Sequence, residues 1–128
     1  MEQLVLIDSN VFIDHFHAIK DPIREILRKV DLENVVCCGV VKAEVLRGVK
    51  SLKARSRMED FFALTQMVST SAQLWDQVWK LAWKLDRKGR VLPLQDIVIA
   101  CCAMQAGAAV MTSDKHFSHI PGLRVIGP

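Results

Sequence analysis

Short, unbroken apolar runs of strand length recur along the chain, each set apart from the next by a stretch of helical length. The runs are Gln3-Leu4-Val5-Leu6-Ile7, Val35-Val36-Cys37-Cys38, a brief Met67-Val68-Ser69, Ala109-Val110-Met111 and Leu123-Arg124-Val125-Ile126. A strand that alternates apolar and polar residues has one wet face, whereas a continuously apolar one has to be covered on both. Strands of that kind separated by helices define an α/β fold with a central, mostly parallel sheet of four to five strands. The expected architecture is a three-layer α/β/α domain. With 128 residues and no repeat, low-complexity stretch or linker, the chain is read as one domain, 1–128.

The intervening segments carry their own start and stop signals. Asp8-Ser9-Asn10 ends the first strand and supplies capping side chains for a helix over Val11 to Ile19. Asp21-Pro22 pairs a cap with a first-turn proline, which predicts a second helix to about Val30. Further helices are expected over Val40 to Val49, Ser51 to about Gln66, Ala72 to Lys88 and Pro93 to Gly107, with a short helical turn from Asp114.

Composition narrows the setting. A hydrophobic fraction of 51% and a mean hydropathy of +0.20 fit a compact domain with a well-filled interior and exclude a disordered chain. The formal net charge of +3 permits a nucleic-acid partner without demanding one. The N-terminal Met-Glu-Gln and a four-residue apolar run do not make a signal peptide. The longest apolar stretch, Ile97 to Met111, is broken by Gln105 and Gly107 and falls short of the roughly 20 residues a membrane span needs. A cytoplasmic protein with no membrane partner is therefore expected. The cysteines form two vicinal pairs, Cys37-Cys38 and Cys101-Cys102, a spacing unlike that of zinc ligands. They read as buried thiols.

In an open parallel sheet, ligands bind beyond the carboxyl ends of the strands, where strand order reverses. Asp8 is the first residue past the first strand, and Asp114 follows Ala109-Val110-Met111 by three. Asp96 opens a helix, and Glu44 lies in the helix after the second strand. Taken singly, each has a structural explanation. Asp8, Asp96 and Asp114 suit helix caps, and Glu44 suits a solvated position paired with Arg47. Taken together they could converge on one cleft, where mutually repelling carboxylates take up either a proton or a cation. Oxygen-only donors favour Mg2+, with Mn2+ able to substitute, over zinc. Such a cation suits phosphodiester hydrolysis.

The residues around these acids resemble the motifs of the PIN-domain family. The apolar strand with Asp8-Ser9-Asn10, then Val41-Lys42-Ala43-Glu44-Val45-Leu46-Arg47-Gly48, looks like its first half. Leu92 to Ala100, containing Asp96, and Met111-Thr112-Ser113-Asp114-Lys115-His116-Phe117 look like its second. Within the family the chain is most similar to the VapC toxins of bacterial toxin–antitoxin pairs, small single-domain endoribonucleases. The resemblance implies an acidic quartet of Asp8, Glu44, Asp96 and Asp114, with Asp8 and Asp96 the direct metal ligands. It places Asn10 and Thr112 as groups that orient carboxylates or water, and leaves Ser9 as a possible helix cap. It further implies a Mg2+-dependent cleavage of RNA leaving a 5′-phosphate and a 3′-hydroxyl. The partners it implies are an antitoxin that blocks the cleft with a basic side chain and a second copy of the chain.

Several other features compete for a role. Lys42, Arg47, Lys50, Lys53, Arg55 and Arg57 stand against the single acid Glu44 in one segment, and either hold an RNA backbone or form an ordinary solvated face. Trp75, Trp79 and Trp83 share a helix face with Val78 and Ala82, which suggests core or interface packing rather than base stacking. Lys80, Lys84, Arg87 and Lys88 look like the wet side of that helix. His15, His17, His116 and His119 lack the partners of a histidine metal site and read as packing or surface groups. A phosphoacceptor receiver domain would need adjacent acids after the first strand and a lysine after the last, and neither is present. A haloacid-dehalogenase-like phosphatase would need a second aspartate in Asp8-Ser9-Asn10. A non-catalytic PIN-like module that binds RNA or protein would be expected to lack acids that this chain keeps.

Overall fold

The computed structural model describes residues 3–128, so Met1 and Glu2 of the expected 1–128 span lie outside the described residues. In chain order the elements are β1 (Val5–Ile7), α1 (Ser9–His17), α2 (Pro22–Leu27), β2 (Val35–Cys38), α3 (Gly39–Gly48), α4 (Leu52–Leu64), β3 (Gln66–Val68), α5 (Ala72–Arg87), α6 (Leu94–Ala106), β4 (Ala109–Met111) and β5 (Val125–Ile126). Two 3-10 turns, Leu32–Asn34 and Lys115–His119, precede β2 and β5.

The strands form one sheet in the order β3-β2-β1-β4-β5, and every pairing is parallel. The sequence required only a mostly parallel sheet. β1 pairs with β2 on one side (Val5 with Val35) and with β4 on the other (Ile7 with Met111). The chain winds outward from β1 through β2 to β3, then returns across β1 to lay down β4. The reversal falls between β1 and β4.

Burial follows the apolar runs. All residues of β1, β2 and β4 are buried, as strands covered on both faces must be. α6 is buried continuously from Ile97 to Ala103 because it packs against α5, α3, β2 and β4 at once. It passes through Gly107 directly into β4, so its far end, with Asp96 in the first turn, points back to the edge where the strands finish. Gly107 makes that turn at φ 68°, and the Ala108 amide closes it on the Ala103 carbonyl at 2.8 Å. Phe12, Phe61 and Phe62 form a cluster between α1 and α4 with ring centroids 5.5–6.1 Å apart, Phe61 edge-to-face with both others and Phe12 tilted against Phe62. Cys37, Cys38, Cys101 and Cys102 are free and buried, and burial pushes the Cys37 thiol up to about 12.

Some boundaries differ from the sequence expectation. α1 starts at Ser9 rather than Val11 because Asp8 itself occupies the cap, accepting from the Ser9 amide. It ends at His17, and Ile19 adopts φ 55° so that the Lys20 amide can reach the His15 carbonyl at 2.8 Å. α2 loosens after Leu27 instead of running to Val30, although the Val30 amide still reaches the Ile26 carbonyl. The turn at Leu32–Asn34 carries no strong sequence signal. β5 is confined to Val125 and Ile126, the two residues opposite Val110 and Met111.

The tryptophans are not core residues. Trp75, Trp79 and Trp83 are 44%, 55% and 56% exposed, while Leu74, Val78 and Leu85 turn the other face of α5 inward. Lys80, Lys84, Arg87 and Lys88 are exposed, as expected of the wet side, and Lys80 and Arg87 also lie over the Trp79 and Trp83 rings at 5.7 and 4.8 Å.

Candidate active site

The carboxyl edge of the sheet at the β1/β4 reversal gathers the site. Asp8 is the residue after Ile7, and its amide donates to the Met111 carbonyl at 3.0 Å, extending the β1–β4 ladder by one step. Asp8 as a whole is 4% exposed. One oxygen accepts from the Ser9 amide at 2.8 Å and the other from the Thr112 hydroxyl at 2.8 Å. Asp8 is thus the α1 cap and a buried acid of the cleft at once, and the two explanations do not exclude each other.

Thr112, also 4% exposed, is the joint of the site. Its hydroxyl donates to Asp8 and accepts from the Asn10 Nδ2 at 3.2 Å and from the Asp114 amide at 2.9 Å. These bonds use its donor and both acceptor positions, which fixes the Asn10 amide with its nitrogen toward Thr112. Asn10 Oδ1 is then left buried without a hydrogen-bond partner among the described residues.

Glu44 enters from α3, which leaves the end of β2 at the same sheet edge, and its carboxylate accepts from the Ser9 hydroxyl at 3.4 Å. Ser9 therefore serves Glu44 and does not cap α1. Glu44 makes no ion pair with Arg47 among the described residues, unlike the solvated alternative for it. Asp96 arrives on the first turn of α6 and Asp114 at the start of the Lys115–His119 turn, where it caps the His116 amide at 2.9 Å. Asp96, Asp114 and His116 each offer a ligand atom, and these atoms lie within 4.8 Å of one another. By sequence His116 reads, with the other histidines, as a packing or surface group, since no second histidine or cysteine completes a site; its neighbours here are Asp114 and Asp96.

The acids act on one another. Burial raises the Asp8 carboxyl above its usual range, the Thr112 and Ser9 bonds pull it back, and Glu44 and Asp114 push it up again. Asp96 is raised to about 6, first by burial and then by Asp8, Asp114 and Glu44, with His116 opposing. All four sequence-selected acids therefore share one electrostatic neighbourhood. Three features fit a divalent cation here: the carboxylates, their mutual repulsion, and a buried Asn10 oxygen suited to accept from a metal-bound water. Of the basic segment, Arg55 pairs with Glu59 at 2.9 Å and Arg57 with Asp21. Lys42, Arg47, Lys50 and Lys53 have no acidic partner among the described residues.

Acidic side chains gathered at the switch point of a parallel α/β sheet stand where folds of this class place their ligands. The PIN-domain family model matches residues 5–123, and the chain belongs to that family. Among curated proteins it is similar to Ribonuclease VapC2 of Rickettsia felis, 24% identical over 126 residues and covering 94% of each chain. Among solved structures it superposes on DNA-bound VapBC from Salmonella typhimurium with a TM-score of 0.78, 24% identity and 98% coverage of both chains. It also superposes on VapBC2 from Rickettsia felis bound to a promoter DNA fragment, with a TM-score of 0.77, 21% identity, and coverage of 96% of this chain and 97% of that one.

Proposed function

We propose that this chain is a metal-dependent endoribonuclease, the VapC-type toxin of a toxin–antitoxin pair. The observation that carries the reading is the convergence of Asp8, Glu44, Asp96 and Asp114 on one edge of a PIN fold, where the Thr112 hydroxyl joins Asp8 to the Asp114 backbone and the acids raise one another's carboxyls. The likeness to a Rickettsia ribonuclease and to VapBC complexes among the solved structures points the same way.

Asp8, Glu44, Asp96 and Asp114 would hold Mg2+, or Mn2+ in its place. The cation would lower the pKa of a bound water and stabilise charge on the phosphoryl oxygens during in-line attack. Thr112 fixes the Asp8 carboxylate and the Asp114 backbone in one arrangement, so the donors stand ready before the cation arrives. Ser9 orients Glu44, and Asn10 offers its unpaired oxygen to a water. Lys42, Arg47, Lys50 and Lys53 are free to meet an RNA backbone. Among the described residues no helix is long and apolar enough to cross a membrane. We place the enzyme in the cytoplasm, with a cognate antitoxin and a second copy of the chain as partners.

The test is incubation of purified, antitoxin-free protein with total bacterial RNA in Mg2+, Mn2+ or EDTA, beside Asp8→Asn and Asp96→Asn. Discrete fragments with 5′-phosphates, dependent on the cation and absent from both variants, are expected. Cleavage that survives in EDTA or in either variant would sink the mechanism. Intact RNA from a folded, metal-loaded protein would favour a binding module.

A further inference from the structure

We infer that His116 is a nitrogen ligand of the cation held by Asp96 and Asp114, so that this site takes Mn2+ in preference to Mg2+. The inference rests on the metal-site reading above and extends it to a residue outside the acidic quartet.

The geometry is local and well anchored. Thr112 accepts from the Asp114 amide, and Asp114 in turn caps the His116 amide, so backbone and carboxylate are held together from β4 into the following turn. In that arrangement His116 Nδ1 stands 3.2 Å from Asp114 Oδ1. Two adjacent ligands of an octahedral cation with bonds of about 2.1 Å are separated by about 3.0 Å. The observed pair therefore already spans close to one edge of a coordination octahedron. Asp96 brings its oxygen to the same place from α6. Asp8 and Glu44 accept from Ser9 and Thr112 and keep lone pairs for the same cation, but they lie outside this tightest group.

Charge points to the same residue. No lysine or arginine pairs with Asp8, Glu44, Asp96 or Asp114 among the described residues, and His116 is the single basic side chain in ion-pair contact with any of them. An imidazole can neutralise the cluster as a cation or donate a lone pair to a metal. Lysine could do only the first. Asn10, whose Nδ2 donates to the same Thr112 hydroxyl that accepts from the Asp114 amide, keeps a buried Oδ1 without a partner among the described residues, an acceptor for a metal-bound water. Mg2+ prefers oxygen donors alone, whereas imidazole suits first-row transition metals, so one nitrogen among carboxylates tilts the site toward Mn2+.

The experiment is Mn2+ titration of the full, antitoxin-free chain followed by electron paramagnetic resonance, with spin-echo modulation to detect directly bound nitrogen. Mg2+ competition is run in parallel on His116→Gln, His119→Gln and Asp96→Asn. His116 is exposed, and its side chain's one ion-pair partner among the described residues is Asp114, so its glutamine variant should melt close to the parent. The expected result is nitrogen coupling in the parent and in His119→Gln. In His116→Gln the coupling should vanish and Mn2+ affinity should fall on the order of tenfold, with Mg2+ affinity nearly unchanged. Bound Mn2+ without nitrogen coupling, or coupling that persists in His116→Gln, overturns the inference and leaves the acidic site standing. No Mn2+ binding at all, or binding unaffected in Asp96→Asn, overturns the site and the inference together.

Discussion

Asp96→Asn should make the metal-free protein more stable at alkaline pH while removing its activity. Burial and three neighbouring acids raise the Asp96 carboxyl from 3.8 to about 6. The folded state therefore holds the proton more tightly than the unfolded chain does. Stability from this group is fully present below pH 3.8 and is lost as pH rises through about 6. A shift of about 2 units corresponds to roughly 3 kcal/mol, and partial exposure of Asp96 to water reduces this to about 1–2 kcal/mol. The negative charge on the first turn of α6 gains back about 0.3–1 kcal/mol from the helix dipole. Asparagine removes both effects, leaving a net gain of about 1 kcal/mol, or about 4 °C in melting temperature for a domain of this size. Thermal melts of both proteins in EDTA at about pH 4 and pH 8 read this directly. The variant should melt higher at pH 8 and lose that advantage toward pH 4. Millimolar Mn2+ should reverse the order by stabilising only the parent. An Asp96→Asn protein that melts no higher than the parent at pH 8 in EDTA would refute the view that this carboxylate is held at a cost.

Three further outcomes follow from the packing and hydrogen bonds. Thr112→Val keeps the shape but strips a donor from the Asp8 carboxylate and an acceptor from Asn10 and Asp114, and should cost about 2–3 kcal/mol in urea unfolding at pH 7. The cost should shrink as acid protonates Asp8, and a cost that does not change with pH would contradict the charge-assisted bond. Ile19→Gly relieves a branched side chain held at φ 55° and 95% exposed, and should stabilise the fold by about 1 kcal/mol. Phe12→Ala empties the centre of the Phe12–Phe61–Phe62 cluster and should cost about 3–5 kcal/mol; a loss below about 1 kcal/mol would mean that the cluster is not part of the core.

The sheet was readable because the strands are buried on both faces, so Leu4 to Ile7, Val35 to Cys38 and Ala109 to Met111 carry no polar residue to blur them. The acids were readable because three of them sit at element boundaries, where the chain's direction is set by the strand or helix they adjoin. Their convergence could not be read from spacing alone, and the family motifs supplied it. What escaped depended on contacts between distant residues. Whether a tryptophan on an amphipathic helix faces in or out depends on a rotation of a few tens of degrees, and Leu74 and Val78 won the inward face of α5. His116 became notable only because Asp96 reaches the same corner from α6. Ser9 serves Glu44 because Asp8 had already taken the cap.

The order β3-β2-β1-β4-β5 puts the first strand of the chain against nearly the last, and the bond from Thr112 to Asp8 closes a loop of 104 residues. A ribosome making this protein releases Asp8 and Glu44 early, and both stay without Asp96 until α6 has emerged, and without Thr112 and Asp114 until β4 has. A partly made or C-terminally cut chain cannot assemble the cleft. On the proposed ribonuclease reading, the strand order itself acts as a safety catch during synthesis, holding the four acids apart until β4 and Asp114 have emerged.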